Sequence, residues 1–305
     1  MFEVFSHTRG CSPELWAAVD SDEEILALFL PIKITVINGL LRPFTTRAVS
    51  YGSVLCAPHH QGQEALARLL HTYNQKMKGQ LLFTELRNLS DMDALQPILQ
   101  QHGFTYADHL NYLIDLNRPI TEIWQSIRSS ARRNIQKARK LDVRIEEVNF
   151  RNGISVVYSI LKQVYKRIQV PLPDVSLFQS AFAVLHPQKM LRIFLAKVND
   201  IEIGVIILLV YRGVMTYWYT GTLREYTSYR AADLLVWNLL ELGNQNGFHI
   251  FDFGGGGRPQ EKYGVRDFKA KFGGSLVNYG RNTLVHAPIR LKLSQQGYEL
   301  VRRFL

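Results

Sequence analysis

The chain has 305 residues, 47% of them hydrophobic and 20% charged, an ordinary globular composition with length for roughly two domains of about 150 residues. Its 36 Lys and Arg against 26 Asp and Glu leave a net charge of +10, which favours an anionic partner such as nucleic acid, nucleotide, phosphorylated lipid or membrane surface. No apolar run approaches the ~18 residues of a membrane helix, the N-terminus lacks a signal-peptide pattern, and two cysteines, Cys11 and Cys56, give neither a disulfide framework nor a metal spacing, so a cytoplasmic, reduced protein is expected.

In the first half, ILALFLPIKITV (25–36) has strand character interrupted by Pro31, and TTRAVSYGSVL (45–55) reads as a strand broken near Gly52. His59 and His60 follow a proline and are expected in a solvated loop, because chain neighbours rarely converge on one metal; no metal site is expected. Residues 62–77 form an amphipathic helix with Ala65, Leu66, Leu69 and Leu70 on one face. A strand at 80–87, a short helix at 91–101 and a strand at 109–116 follow, and Asn117-Arg118-Pro119 marks a boundary.

The second half opens with a long helix from about Thr121 and a strand at 143–148. Helices are expected at 153–168, ended by Pro171 and Pro173, and at 174–185. Three strands span 191–221, joined at Asn199-Asp200 and Arg212-Gly213, short polar turns that make antiparallel hairpins. The helix 229–247 is apolar nearly all round and should be buried. The series helix 62–77, strand, helix, strand 109–116 is echoed by helix 229–246, strand 249–253, helix near 260–271, strand 275–281. Two copies of one α/β fold account for the echo, with domains at 1–118 and 119–285 and a helical tail at 286–305.

Four groups of residues invite a chemical reading. Residues 128–144 hold seven basic side chains and one acid, Asp142. On a helix Ile127, Ala131, Ile135 and Ala138 form an apolar stripe flanked by Arg128, Arg132 and Arg139 on one side and Arg133, Lys137 and Lys140 on the other. Like charges at i,i+4 repel, so either an anionic ligand or plain solvation must offset them. Asp252 ends a strand before four glycines, where it can accept a proton from an attacking amine or cap the loop through backbone N–H groups. Gly254 to Gly257 permit positive φ and close approach of a ligand, or a lid; with no P-loop lysine after them they are not a nucleotide motif. Tyr217 and Tyr219 should share one face of a central strand and Trp218 the other. No Gly-x-Ser-x-Gly, Cys/His pair or zinc pattern is present, which argues against a covalent-nucleophile hydrolase.

Three segments in order resemble the FemAB-like transferases: SIRSSARRNIQKARKLDVRIEEV (126–148), YRAADLLVWNLLELGNQNGFHIFDFGG (229–255) and RDFKAKFGG (266–274), with a weaker echo in 29–55, where Leu-Pro and Tyr-Gly sit as in that family. The resemblance implies two tandem folds of the Gcn5-related N-acetyltransferase (GNAT) type, each a mixed, mostly antiparallel sheet flanked by helices. It implies transfer of an aminoacyl group from aminoacyl-tRNA to an amine of a peptidoglycan or surface-polymer precursor, by direct attack and without a tightly bound cofactor. It places Phe268 and Lys269 at the transfer centre, with Lys269 either stabilising the oxyanion or holding the terminal phosphate of tRNA; otherwise it is one surface charge in a basic run, and Phe268 is core. Arg128, Arg132, Lys137, Tyr217, Tyr219, Tyr229, Arg230, Gly254 and Gly255 are the corresponding substrate-binding candidates, and Tyr51 with Arg42 those of the first domain. One departure concerns the donor: REYTSYRAAD (224–233) lacks the glycine turn with which acyl-CoA-using GNAT proteins hold pyrophosphate, so an acyl-CoA-dependent N-acyltransferase is the alternative rather than the leading expectation. A non-catalytic RNA-binding protein is the second alternative. Peripheral contact with an anionic membrane surface, at its cytoplasmic face, fits the charge.

Overall fold

The computed structural model describes residues 1–302. The chain forms two compact units, Met1–His109 with Asn278–Leu305, and Leu110–Val277. The first begins with α1 (Phe2–Ser6), β1 (Cys11–Pro13), β2 (Trp16–Val19), β3 (Ile25–Phe29) and β4 (Ile32–Thr35). Pro31, which has no N–H to give a ladder, divides β3 from β4, and the two strands enter different sheets. Then come β5 (Thr46–Tyr51), β6 (Val54–Cys56), α2 (His60–Met77), β7 (Phe83–Arg87), α3 (Gln96–Gln101) and β8 (Thr105–Ala107). The histidine pair is not in a loop: His60 opens α2, and the His59 ring accepts the Gly62 N–H as its cap. Leu66, Leu69 and Leu70 of α2 are buried against Ala48 and Leu86 of the sheet, as the apolar stripe requires.

The second unit starts with β9 (Leu110–Asp115), then α4 (Ile120–Ser126) and α5 (Ser129–Lys140). The long helix expected from Thr121 is broken, because Ile127 and Arg128 are extended between α4 and α5. After β10 (Arg144–Glu147), α6 (Gly153–Arg167) and α7 (Val175–Leu185) come β11 (Leu191–Val198), β12 (Ile201–Tyr211) and β13 (Val214–Thr222). The hairpin turns between them have both central residues at positive φ, Asn199-Asp200 at 47° and 63° and Arg212-Gly213 at 45° and 79°, the twist that antiparallel strands favour. Helix α8 (Ala231–Gln245), β14 (Ile250–Gly255), α9 (Gly264–Lys269) and β15 (Ser275–Asn278) complete the unit. Its sheet has the order β10-β11-β12-β13-β14-β9-β15. Helices α5 and α8 pack a continuous core on one face, including Ala131, Ile135, Ala138, Leu235 and Leu239.

The chain then returns to the first unit with β16 (Arg281–Val285) and α10 (Pro288–Arg302). The six-stranded sheet there runs β1-β4-β5-β7-β16-β8, with β2-β3-β6 as a separate sheet. The sequence boundaries at 118 and 285 therefore shift. Strand 110–115 pairs with β14 of the second unit, and strand 281–285 pairs with β7 and β8 of the first. A short alternating strand specifies an edge of complementary register, not which of two like sheets supplies it. Residues 303–305 of the expected helical tail lie outside the described residues.

Candidate functional site

In the second unit β13 and β14 form a parallel pair, and it is short. Val214, Met215 and Thr216 of β13 stand opposite Ile250, Phe251 and Asp252 of β14, after which the ladder stops although β13 runs on to Thr222. On its other edge β14 pairs with β9 throughout, from Ile250 opposite Asp115 to Gly255 opposite Asn111, with an irregularity after Asp252. On its other side β13 carries a bulge: Ile207 faces Tyr219 and Leu208 faces Tyr217, so Trp218 has no opposite number. A bulge leaves its extra residue outside the ladder and re-aims the backbone. Trp218 thus stands outside the β12 register at the place where two strands part. The bulge also breaks the alternation expected for Tyr217 and Tyr219. The Tyr217 ring meets Phe251 and Phe253, whereas Tyr219 meets Tyr165 and Phe178, and Trp218 also lies against Phe178.

Below the parting lies a buried polar cluster. Asp252, 5% exposed, accepts the Gly254 N–H and the Asn111 side-chain N–H, each at 2.7 Å through Oδ1. Burial raises its pKa, and these two hydrogen bonds oppose the rise. Of the two sequence readings, the geometry is that of the cap. Lys269 is also 5% exposed, and its Nζ donates to the carbonyls of Phe253, Gly254 and Gly255 at 2.7, 3.2 and 2.7 Å. All three ammonium donors are thereby committed, and no donor is left for an oxyanion or a donor phosphate. Burial lowers the Lys269 pKa to about 8, with Asp252 acting the other way. One turn earlier on α9, the Arg266 guanidinium donates to the carbonyls of Gly256, Arg258, Pro259 and Glu261. Two cations of one helix hold the glycine segment by its carbonyls, so it is a fixed turn rather than a loose lid. Gly254 sits at φ 65°, and a Cβ there would lie 3.3 Å from the Tyr217 carbonyl oxygen, so only glycine fits without strain.

Residues 125–269 match the family model described as "Acetyltransferase (GNAT) domain". The whole fold is similar to that of FemX, with a TM-score of 0.69, 15% identity, and coverage of 98% of this chain and 92% of that one. This chain has the FemAB-like tandem GNAT fold. It is also similar to L-PGS from Bacillus licheniformis, at a TM-score of 0.60, 14% identity and coverage of 93% and 88%, and to a tandem GNAT protein from the clavulanic acid biosynthesis pathway, at 0.58, 10%, and coverage of 92% and 85%. None of the curated proteins compared matches the chain.

Within the GNAT domain, α5 presents the basic face foreseen in the sequence. Ala131, Ile135 and Ala138 are buried, Arg128 and Lys137 are exposed, and Arg132 is half-buried. Arg139 pairs with Glu241 of α8 at 3.1 Å; the other cations of this face have no carboxylate partner among the described residues. The backbone N–H of Arg128 donates to the Lys271 carbonyl at 2.8 Å, which ties the start of α5 to the segment following Lys269. Phe268 is half-buried, edge-on to Phe272 at 5.3 Å, and packs against the core. At the head of α8, the Tyr229 ring lies tilted against Tyr226 at 5.9 Å, and Arg230 is exposed at φ 59°. The buried Asp233 in the first turn of that helix has its pKa raised by burial, with Asn134 and nearby Lys271 and Arg230 acting the other way. Tyr51 belongs to the first unit, where its ring stacks on Phe5, and Arg42 is exposed there.

Sequence reasoning missed the Trp218 bulge and the grip of Arg266. Nothing in Tyr-Trp-Tyr announces a bulge, because all three residues suit an uninterrupted strand. The Phe-Gly-Gly that closes α9 also has a steric reason. Gly273 sits at φ 76°, and a Cβ there would come within 2.5 Å of the Ser126 carbonyl oxygen. Gly273→Ala should cost about 2 kcal/mol, from the left-handed backbone and the contact together. A denaturant midpoint unchanged from the parent would show that the turn can relax.

Proposed function

We propose that this chain transfers an aminoacyl group from aminoacyl-tRNA to an amine of a cell-wall or surface-polymer precursor. The observation that carries the reading is the bulge at Trp218, beside the point where the pairing of β13 with β14 ends. An ester carbonyl seated there can accept the Trp218 N–H. The amine then attacks the carbonyl carbon, and the developing negative charge on oxygen meets a fixed donor, worth typically ~3 kcal/mol of barrier. The ester C–O bond breaks, and the ribose oxygen leaves with the proton the amine gives up. No protein nucleophile is required. Lys269 and Asp252 act here as positioning residues, which fix the course of Phe253 to Gly255 along one wall.

The GNAT family model favours a second donor, acyl-CoA. Against it stands the absence of glycine in 224–233. For tRNA speak the unpaired cations of α5. No helix among the described residues is long and apolar enough to cross a membrane, so a lipid-linked acceptor would be met at a surface.

Incubating the chain with charged tRNA and with acetyl- and longer acyl-CoA, each with amino-sugar and peptide acceptors, decides between them. Amide product from charged tRNA, unchanged when CoA esters are added in excess, is the expected result. Product from acyl-CoA alone would transfer the reading to the second donor, and no amide from any donor would remove both.

A further inference from the structure

In the first unit the antiparallel neighbours β4 and β5 are joined by a loop, 36–45, built around a 3-10 turn at Gly39–Phe44. Val36, Ile37, Leu40 and Leu41 are all exposed there, Leu40 at 97%. Single apolar side chains on a surface are ordinary, but four within six positions make a patch. The loop backbone is pinned from within. The Thr45 hydroxyl accepts the Ile37 N–H at 3.2 Å and donates to the Ile37 carbonyl at 2.9 Å, and the Thr46 hydroxyl donates to the Arg42 carbonyl at 2.8 Å. Leucines held out on a pinned loop find no cover in the unit's own core.

Helix α10 packs against the base of this loop, where the Ser294 hydroxyl donates to the Phe44 carbonyl at 2.6 Å. Ala287, Leu291 and Ser294 form the packed stripe of the helix. Ile289, Lys292 and Leu293 fall on the opposite side and are exposed, Ile289 at 79%. The charge around both segments has one sign. Residues 25–63 contain no Asp or Glu, and neither do residues 268–298. Arg42 in the loop and Lys292 on α10 are exposed, and among the described residues neither has a carboxylate partner. Apolar side chains edged by cations, with no anion among them, match an anionic bilayer surface: the acyl boundary takes the first and headgroup phosphates the second. A second copy of this chain fits less well, because a two-fold contact would set the same positive patch against itself.

We propose that the 36–45 loop and the outer face of α10 dock the first unit on an anionic lipid bilayer, with Leu40 and Leu41 entering the interface and Arg42 and Lys292 meeting headgroup phosphates. The contact is independent of the transfer chemistry, and no acyl donor is needed to detect it. Cosedimentation of the full chain with vesicles of mixed phosphatidylglycerol and phosphatidylcholine, beside vesicles of phosphatidylcholine alone, tests it. Binding to the mixed vesicles is expected, and about tenfold weaker binding or less to the neutral ones. Leu40→Ser with Leu41→Ser should weaken binding about tenfold or more, and Arg42→Gln with Lys292→Gln several-fold. Both variants should keep the parent's melting point, because all four side chains are exposed. At about 0.5 M salt the charge variant should approach the parent, whereas the leucine variant should stay weaker, since screening acts on the cations alone. Lys166→Gln, a charge removed from α6 of the second unit, should bind as the parent does. Equal binding of the parent and the leucine variant would show that general positive charge holds the vesicle, and it overturns the proposal. So does the absence of binding to mixed vesicles. A parent dimer in sedimentation velocity that the leucine substitutions dissociate, with no vesicle binding, would assign the patch to a second copy instead.

Discussion

Lys269→Met is expected to lower the stability of the folded chain by about 3 kcal/mol. Methionine keeps the aliphatic stem but leaves the carbonyls of Phe253, Gly254 and Gly255 without the ammonium they share. Each buried acceptor so abandoned costs about 1–3 kcal/mol, and relief from burying a charge returns part of the sum. At roughly 2–4 °C per kcal/mol for a unit of this size, the melting point should fall by about 10 °C. The parent should also show a dependence on pH that the variant lacks. Burial holds Lys269 at about 8, well below the ordinary lysine value. Between that value and the unfolded value of ~10.4, the unfolded chain binds the extra proton, so stability rises with pH across this window. Below about 8 the burial penalty is carried in full. Denaturant titrations at several pH values read both effects. A variant within 0.5 kcal/mol of the parent and with the same pH slope would show that the three carbonyls find other donors.

This expectation reverses what the sequence suggests about Lys269. In RDFKAKFGG it sits among Arg266, Lys271 and Lys262, and a lysine in a basic run ordinarily belongs to solvent. Its burial comes from the tight course of Gly254 to Gly257, which brings carbonyls of β14 over α9. No local pattern encodes that meeting. The stripe of Ala131, Ile135 and Ala138 was legible because its period belongs to α5 itself, and all three are buried; Ile127 is buried too, but from the extended link before the helix. The repetition of helix and strand between the two halves was legible for the same reason. The exchange of β9 and β16 was not, since each strand carries the alternation its new sheet needs. Asp252 was readable as a cap because Asp before glycine commonly accepts an N–H two residues on, here that of Gly254.

The basic face of α5 gives the largest expected effect on binding. Replacing Arg128, Arg132, Arg133 and Lys137 together with Gln removes four charges and leaves Arg139 and its partner Glu241 intact. The buried stripe of α5 is untouched, and the repulsions of Arg128 with Arg132 and of Arg133 with Lys137 are relieved, so stability should hold or rise by a few tenths of a kcal/mol. If these side chains meet the phosphates of a single-stranded tRNA end, each contact contributes about 0.7 to the slope of log affinity against log salt. Four lost contacts flatten that slope by roughly 3, so a fourfold rise in salt should weaken the parent by roughly fifty-fold more than the variant. Transfer measured at saturating donor should change little, because the charges lie on a helix surface and not at the bulge of Trp218. Filter binding of tRNA across a salt series, run beside a transfer assay, separates the outcomes. Parallel salt slopes for parent and variant would show that α5 is a solvated helix, and the case for a polynucleotide donor would then lose its main support.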